Sequence, residues 1–129
     1  MRYLSLEWID AVHESVAAST PLRDLARDVE FGITQVVTGG PEGDVVYHFS
    51  VGDGSVEFGP GPAPREDVRL EQSWQTAVAV ATEQMGAQDV FIRGHVTVTG
   101  DMQKLVDSQR VFGPLDEAFA AVRGTTVYE

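Results

Sequence analysis

The sequence predicts an α+β fold, a five-stranded, mostly antiparallel sheet covered on one face by helices. Three observations carry this. Apolar and polar residues alternate with a period of two in four consecutive segments between residues 29 and 72. After Ser73 the period changes to 3.6. A β-branched run, His95-Val96-Thr97-Val98-Thr99, then returns to a period of two between helical segments.

The elements follow in order. Leu4, Trp8, Ile9, Val12 and Val16 fall on one stripe with Glu7, Asp10 and Glu14 opposite, so a helix is expected over residues 4–18, capped by Ser5. Thr20-Pro21 breaks the pattern and opens a short second helix bearing Leu22, Leu25 and Ala26. Val29, Phe31, Ile33, Gln35 and Val37 form one face of a first strand. Gly39 to Gly43 is a turn, and Val45, Tyr47, Phe49 and Val51 face one way on a second strand. Asp53-Gly54 signals a tight hairpin into Ser55–Phe58. Residues 59–64 form a stiff Gly-Pro loop, and a fourth strand near residues 67–72 presents Val68 and Leu70 together. A helix capped by Ser73 carries Trp74, Ala77, Val78, Ala81 and Met85 and ends at Gly86; Ala87 to Ile92 reads as a further short helix. The strand at 95–99 leads through Gly100 to Asp101, a good helix cap for a stripe of Met102, Leu105, Val106 and Gln109. Gly113-Pro114 opens the last helix, with Leu115, Ala118, Phe119 and Val122 on its apolar face.

The 129 residues suit one domain, 1–129, with its core over about 28–122 and a mobile tail over 124–129. The net charge of −11 opposes nucleic-acid phosphates, and the nine basic residues are scattered. There is no cysteine, which excludes disulfides, thiolate catalysis and thiolate metal sites. The first residues lack the apolar core of a signal peptide, and no apolar run is long enough to span a bilayer, so the expected location is cytoplasmic, without stable membrane insertion.

Catalytic motifs are missing. His13, His48 and His95 have no metal-ligand spacing, so no metal and no cofactor is expected. No Gly-x-Ser-x-Gly elbow, phosphate loop or dinucleotide fingerprint occurs. Glu57 and Glu71 alternate with apolar strand residues and belong to a solvated face. Trp8, Phe58 and the other aromatics, with Met85 and Met102, sit at core-facing positions or element ends. Periodicity leaves open whether they fill the core or line a cavity.

The stretch Gln88 to Leu105 resembles the C-terminal signature of the sterol carrier protein-2 (SCP2) family. Gly94, the Val96/Val98 strand, the Gly100-Asp101 turn and Leu105 take the motif's roles, and the order of elements over about 28–122 agrees. His95 stands where members of that family often carry a basic residue. The chain ends Val127-Tyr128-Glu129 rather than on a Ser-Lys-Leu address, so a bacterial-type rather than a peroxisomal setting is expected.

The resemblance implies an apolar tunnel between the sheet and the C-terminal helices, holding a fatty acyl chain, a sterol-like or another lipophilic molecule. Its lining would come from Phe31, Ile33, Tyr47, Phe49, Val68 and Leu70 on the sheet and from Trp74, Val78, Phe91, Leu105, Phe112, Leu115 and Phe119 on helices, with Gln35 as polar handle. The helix of residues 114–122 would act as a lid hinged at Gly113-Pro114. The expected function is non-covalent binding and transfer of a lipophile, with no catalytic residues. The alternative is a cavity-based enzyme or accessory protein acting on a hydrophobic intermediate, using His48, Tyr47 or Gln35. A homodimer or a partner enzyme is compatible with either.

Overall fold

The computed structural model describes residues 1–82, 84–85 and 93–128. Five strands form one sheet: β1 (Phe31–Gly40), β2 (Gly43–Gly52), β3 (Ser55–Pro60), β4 (Val68–Ser73) and β5 (Val96–Gly100), in the order β3-β2-β1-β4-β5. Three of the four pairings are antiparallel, and β1 runs parallel to β4. That parallel pair needs a long crossover, which the β2–β3 hairpin and the loop after it provide. The described helices are α1 (Leu6–Ala17), α2 (Thr20–Leu25), α3 (Trp74–Ala81), α4 (Met102–Asp107) and α5 (Phe112–Arg123).

Local chemistry explains most boundaries. Ser5, Ser19, Ser73 and Asp101 each accept a backbone N–H three residues on, which starts α1, α2, α3 and α4. Asp53 and Gly54 both take positive φ, as a two-residue hairpin turn of this hand requires. Some expected boundaries move. Leu4 is buried but lies outside α1 with φ 64°. The turn expected from Gly39 starts later, because a bulge between Val37 and Gly40 lets β1 run on to pair Gly40 with Gly43. The α3 stripe was expected to reach Met85, yet the helix stops at Ala81. The Thr82 hydroxyl donates to the Val78 carbonyl at 2.7 Å, and Gln84 and Met85 both direct their N–H to Ala79. The expected helix over 87–92, the Gly86 stop and Phe91 lie outside the described residues.

Cross-strand partners share a face, so the register fixes the inner surface of the sheet. One row is Val56, Val51 and Phe31; the next is Phe58, Phe49, Ile33 and Val68. A third row holds Tyr47, Gln35, Leu70 and Val98, and a fourth holds Val45, Val37, Gln72 and Val96. The helices lie on this face: Trp8 of α1 contacts Tyr47 and Phe58, and Phe119 of α5 stacks on Trp8 with centroids 5.9 Å apart.

The outer face is not wholly solvated. Thr34 is fully buried there, and its hydroxyl accepts the Ala63 N–H at 2.9 Å. The loop before β4 thus covers the sheet's outer centre. Glu66 in that loop is held below the usual carboxylate range by hydrogen bonds from Arg69 and then Thr34.

Asp67 ties this loop to the far end of the sheet. Its carboxylate accepts the Gly32 N–H at 2.8 Å and the Lys104 ammonium at 3.2 Å, and its carbonyl accepts the Asp101 N–H at 2.8 Å. Gly100 has φ 113°, and a Cβ there would stand 2.3 Å from the Asp67 carbonyl oxygen. The Gly-Asp turn is therefore required by close backbone approach as well as by its dihedral.

The segment read as a mobile tail is tied to the start of the chain. Arg2 and Val127 form a parallel bridge, Tyr3 donates its N–H to Val127 at 2.9 Å, and the Tyr128 ring lies 4.9 Å from that of Tyr3. The last helix also differs from expectation. Phe112, Gly113 and Pro114 all lie within α5, which follows directly on a 3-10 turn at Gln109–Val111. Proline is tolerated in a first helical turn, where its missing N–H breaks no ladder. With Val111 fully buried, the base of α5 is anchored in the core, and Gly113-Pro114 lies inside the helix rather than at a break before it.

Candidate functional site

The inner face divides into two halves. In the first, Phe31, Ile33, Phe49 and Val68 are each no more than 1% exposed. Phe112 closes edge-on against Phe31 with centroids 6.2 Å apart, and Leu22, Val12, Val16 and Val111 are also fully buried in the core. Side chains close this half. Among the described residues, Phe31, Ile33, Phe49 and Val68 of the expected lining are packed into the core here.

In the second half, a hollow of about 120 Å³ lies between the third and fourth rows of the sheet, α1, α3 and α5. Trp8, Tyr47, Phe119, Tyr3 and Tyr128 give it an aromatic wall, and Ala77, Val80 and Ala81 of α3 line another side. Small residues on the α3 stripe leave room that larger ones would fill. Gln35 and Gln72 form its polar floor, with the Gln72 amide donating to the Gln35 carbonyl oxygen at 3.3 Å. Asp116 and Arg123 of α5 complete the lining, and Arg123 donates Nε–H to the Ala81 carbonyl at 3.0 Å.

Burial sets the electrostatics here. It pushes the Tyr47 phenol well above its ordinary value. The Tyr3 phenol rises as well, chiefly by burial and further through the neighbouring Tyr47 and Tyr128 phenols. The surroundings therefore disfavour charge on these hydroxyls. Among the described residues no buried side-chain polar atom lacks a hydrogen bond. The Tyr47 hydroxyl makes no hydrogen bond among them and is therefore not fully enclosed, and Tyr47 is one of the residues that line the hollow.

Of the residues expected to line a site, Gln35, Tyr47 and Phe119 border this hollow. Phe31, Ile33, Phe49, Val68 and Leu115 are core, while Leu70, Trp74, Val78, Leu105 and Phe112 are half-buried against it. The sequence reading missed Tyr3, Trp8, Gln72, Ala77, Val80, Ala81, Asp116, Arg123 and Tyr128 as lining residues. Asp116, Phe119 and Arg123 share one helical face at i, i+3 and i+7, a legible signal. His48, considered as a polar group for the hollow, pairs across the sheet with Thr34 and Gly59 and so faces outward, its Nδ1 3.0 Å from the Gly61 carbonyl oxygen.

A larger hollow, about 600 Å³, opens at the other end of the sheet. Glu30, Asp53, Glu57, Glu66 and Asp67 line it with Arg65 and Lys104, so it is an open, charged groove unsuited to a lipophile. Among the described residues no group of three His, Asp or Glu side chains is placed to hold a metal ion, and no helix is long and apolar enough to cross a membrane.

Comparison with known proteins agrees with this architecture. The profile of the SCP-2 sterol transfer family matches residues 12–113. The chain belongs to the SCP-2 sterol transfer family. Family membership carries a general association with lipid binding and transfer. No curated protein sequence matches the chain. Solved structures do share the SCP-2 fold. A crystal structure of sterol carrier protein 2 superposes with a TM-score of 0.68 at 16% identity, over 95% of this chain and 98% of that one. The apo form of sterol carrier protein 2 from Yarrowia lipolytica gives 0.65 at 16% identity, over 85% and 88%. A variant of a sec-alkyl sulfatase from Pseudomonas gives 0.52 at 21% identity, over 76% of this chain but 15% of the enzyme. At these identities the likeness is one of fold.

Proposed function

We propose that this SCP-2 family chain binds a lipophilic small molecule non-covalently and carries it in the hollow between the sheet's third and fourth rows and helices α1, α3 and α5. The observation that carries the reading is the hollow itself: an aromatic and aliphatic wall over a floor of two amides, beside a cluster of buried apolar side chains. Such sites bind through burial of apolar area, at about 25 cal/mol per Å², with a few polar groups setting orientation. The family's association with lipid transfer and the fold shared with sterol carrier proteins support it. A cytoplasmic setting, and delivery to a partner protein, belong to the same proposal.

The test is native mass spectrometry of the purified protein, together with titration of a fluorescent fatty acid or Nile red. Retained lipid, or saturable binding with a 1:1 end point, is the expected result. A protein that carries nothing and binds no member of a lipophile panel overturns the reading.

A further inference from the structure

The floor of the hollow has hydrogen-bonding capacity left over. A glutamine side chain offers two N–H donors and one carbonyl acceptor. Between Gln35 and Gln72 a single hydrogen bond is made, at 3.3 Å. Whichever way the two amides are turned, an NH2 group and a carbonyl oxygen remain without a partner among the described residues. Tyr47 lies directly across the β1–β2 ladder from Gln35 and lines the same hollow, with a hydroxyl that makes no hydrogen bond among the described residues. These three groups are uncharged, and all three residues line the one hollow. The charged residues at the edge, Asp116 and Arg123, offset one another in sign, and Arg123 is engaged with the Ala81 carbonyl.

Size limits the occupant further. An apolar cavity of about 150 Å³ accommodates a benzene molecule. The hollow, at about 120 Å³, takes something of that order, so it receives one end of a long lipophile rather than the whole. We propose that the Gln35–Gln72–Tyr47 floor is a head-group site that selects lipophiles ending in a neutral hydroxyl, a group that both donates and accepts, over those ending in a carboxylate or an ether. A hydroxyl fits because it gives its proton to the free amide carbonyl and takes one from the free NH2. An ether has no proton to give. A carboxylate cannot give one either, and it brings a charge into surroundings that already hold the Tyr47 phenol neutral.

This inference rests on the carrier reading, and three probes separate the two. Octan-1-ol, its isomer heptyl methyl ether, and octanoate at pH 8 share a chain of nearly equal length. Calorimetric titration should show octanol binding about tenfold more tightly than the ether and more tightly still than octanoate. The Trp8 indole N–H signal in an NMR spectrum should shift with octanol, because Trp8 lines the hollow. Gln35→Leu and Gln72→Leu should each weaken octanol about fivefold, the loss of one hydrogen bond, and so narrow its margin over the ether, which can accept a hydrogen bond but cannot donate one. The wild-type ranking alone decides the matter if a variant fails to fold. Octanoate or the ether binding as tightly as octanol overturns the head-group site and leaves the carrier reading standing, as do variants that weaken all three probes alike. Binding of none of the three, or of Nile red, overturns both.

Discussion

The two halves of the sheet's inner face are built from the same kind of strand yet do opposite things. Around Phe31, Phe49, Ile33 and Val68 the space is filled to near-complete burial. Two rows along, the polar Gln35 and Gln72 stand beside Tyr47, and the facing residues of α3 include the small Ala77 and Ala81. A packed core tolerates few voids, and each unfilled methylene position forgoes contact energy. The open half therefore gives up stability that the closed half supplies. On the proposed function one sheet carries a structural end and a binding end, and substitutions at the two ends should have different signatures.

The largest effect is expected in the closed half. Phe49→Ala removes a ring that is 1% exposed and should cost about 3–5 kcal/mol in urea or thermal unfolding, enough to leave the fold marginal. A loss below about 1 kcal/mol would mean that this half is not the packed anchor it looks like. Next comes Asp67→Ala. It leaves the Gly32 N–H and the Lys104 ammonium without their shared partner and should cost about 1–3 kcal/mol, because Asp67 locks the loop, β1 and the start of α4 to that end.

How much of this could be read from the sequence differs between the halves as well. The closed half was legible. Phe31, Ile33, Phe49 and Val68 follow a period of two, and the caps at Ser5, Ser73 and Asp101 and the Asp53-Gly54 hairpin are local chemistry. The open half was legible only in its strand residues, Gln35 and Tyr47, and in Phe119 of α5. Tyr3 and Tyr128 reach the hollow through a pairing of the two ends of the chain that no local pattern encodes. The parallel β1–β4 pairing and the burial of Thr34 under the loop are likewise long-range outcomes. The tunnel between the sheet and the C-terminal helices was expected from the family resemblance alone, since periodicity says which residues face inward but not whether their volumes fill the space between layers.

Alkaline pH gives a smaller effect that belongs to the open half. Tyr3 and Tyr47 have folded-state pKa values raised above the ordinary tyrosine value of about 10. Their contribution to stability is fully present below that value. It is lost as pH rises above it, because the unfolded chain releases protons that the folded chain retains. Unfolding free energy should therefore fall from about pH 10 upward. Absorbance at 295 nm should show these two phenols ionising only as the chain unfolds, and Tyr47→Phe should flatten the pH dependence. Free titration of every tyrosine at pH 10 in the native protein would show that water and base reach the hollow's wall without unfolding.

The smallest effect on stability, and the one that separates the halves most sharply, is expected from Ala81→Leu. Ala81 lines the hollow near the end of α3, and leucine is nearly as good a helix former as alanine. Three added carbons would occupy much of the roughly 120 Å³ that is open there. In a closed core such an insertion costs about 1–3 kcal/mol through strain. Here the new methyl groups enter existing space, so unfolding free energy should stay within about 1 kcal/mol of the parent, with any change toward greater stability. Binding of a lipophile should be lost over the same concentration range in which the parent saturates. A strongly destabilised Ala81→Leu protein would mean that the hollow is already filled in solution by motion of α3 or α5. A stable variant that still binds would place the ligand outside this hollow.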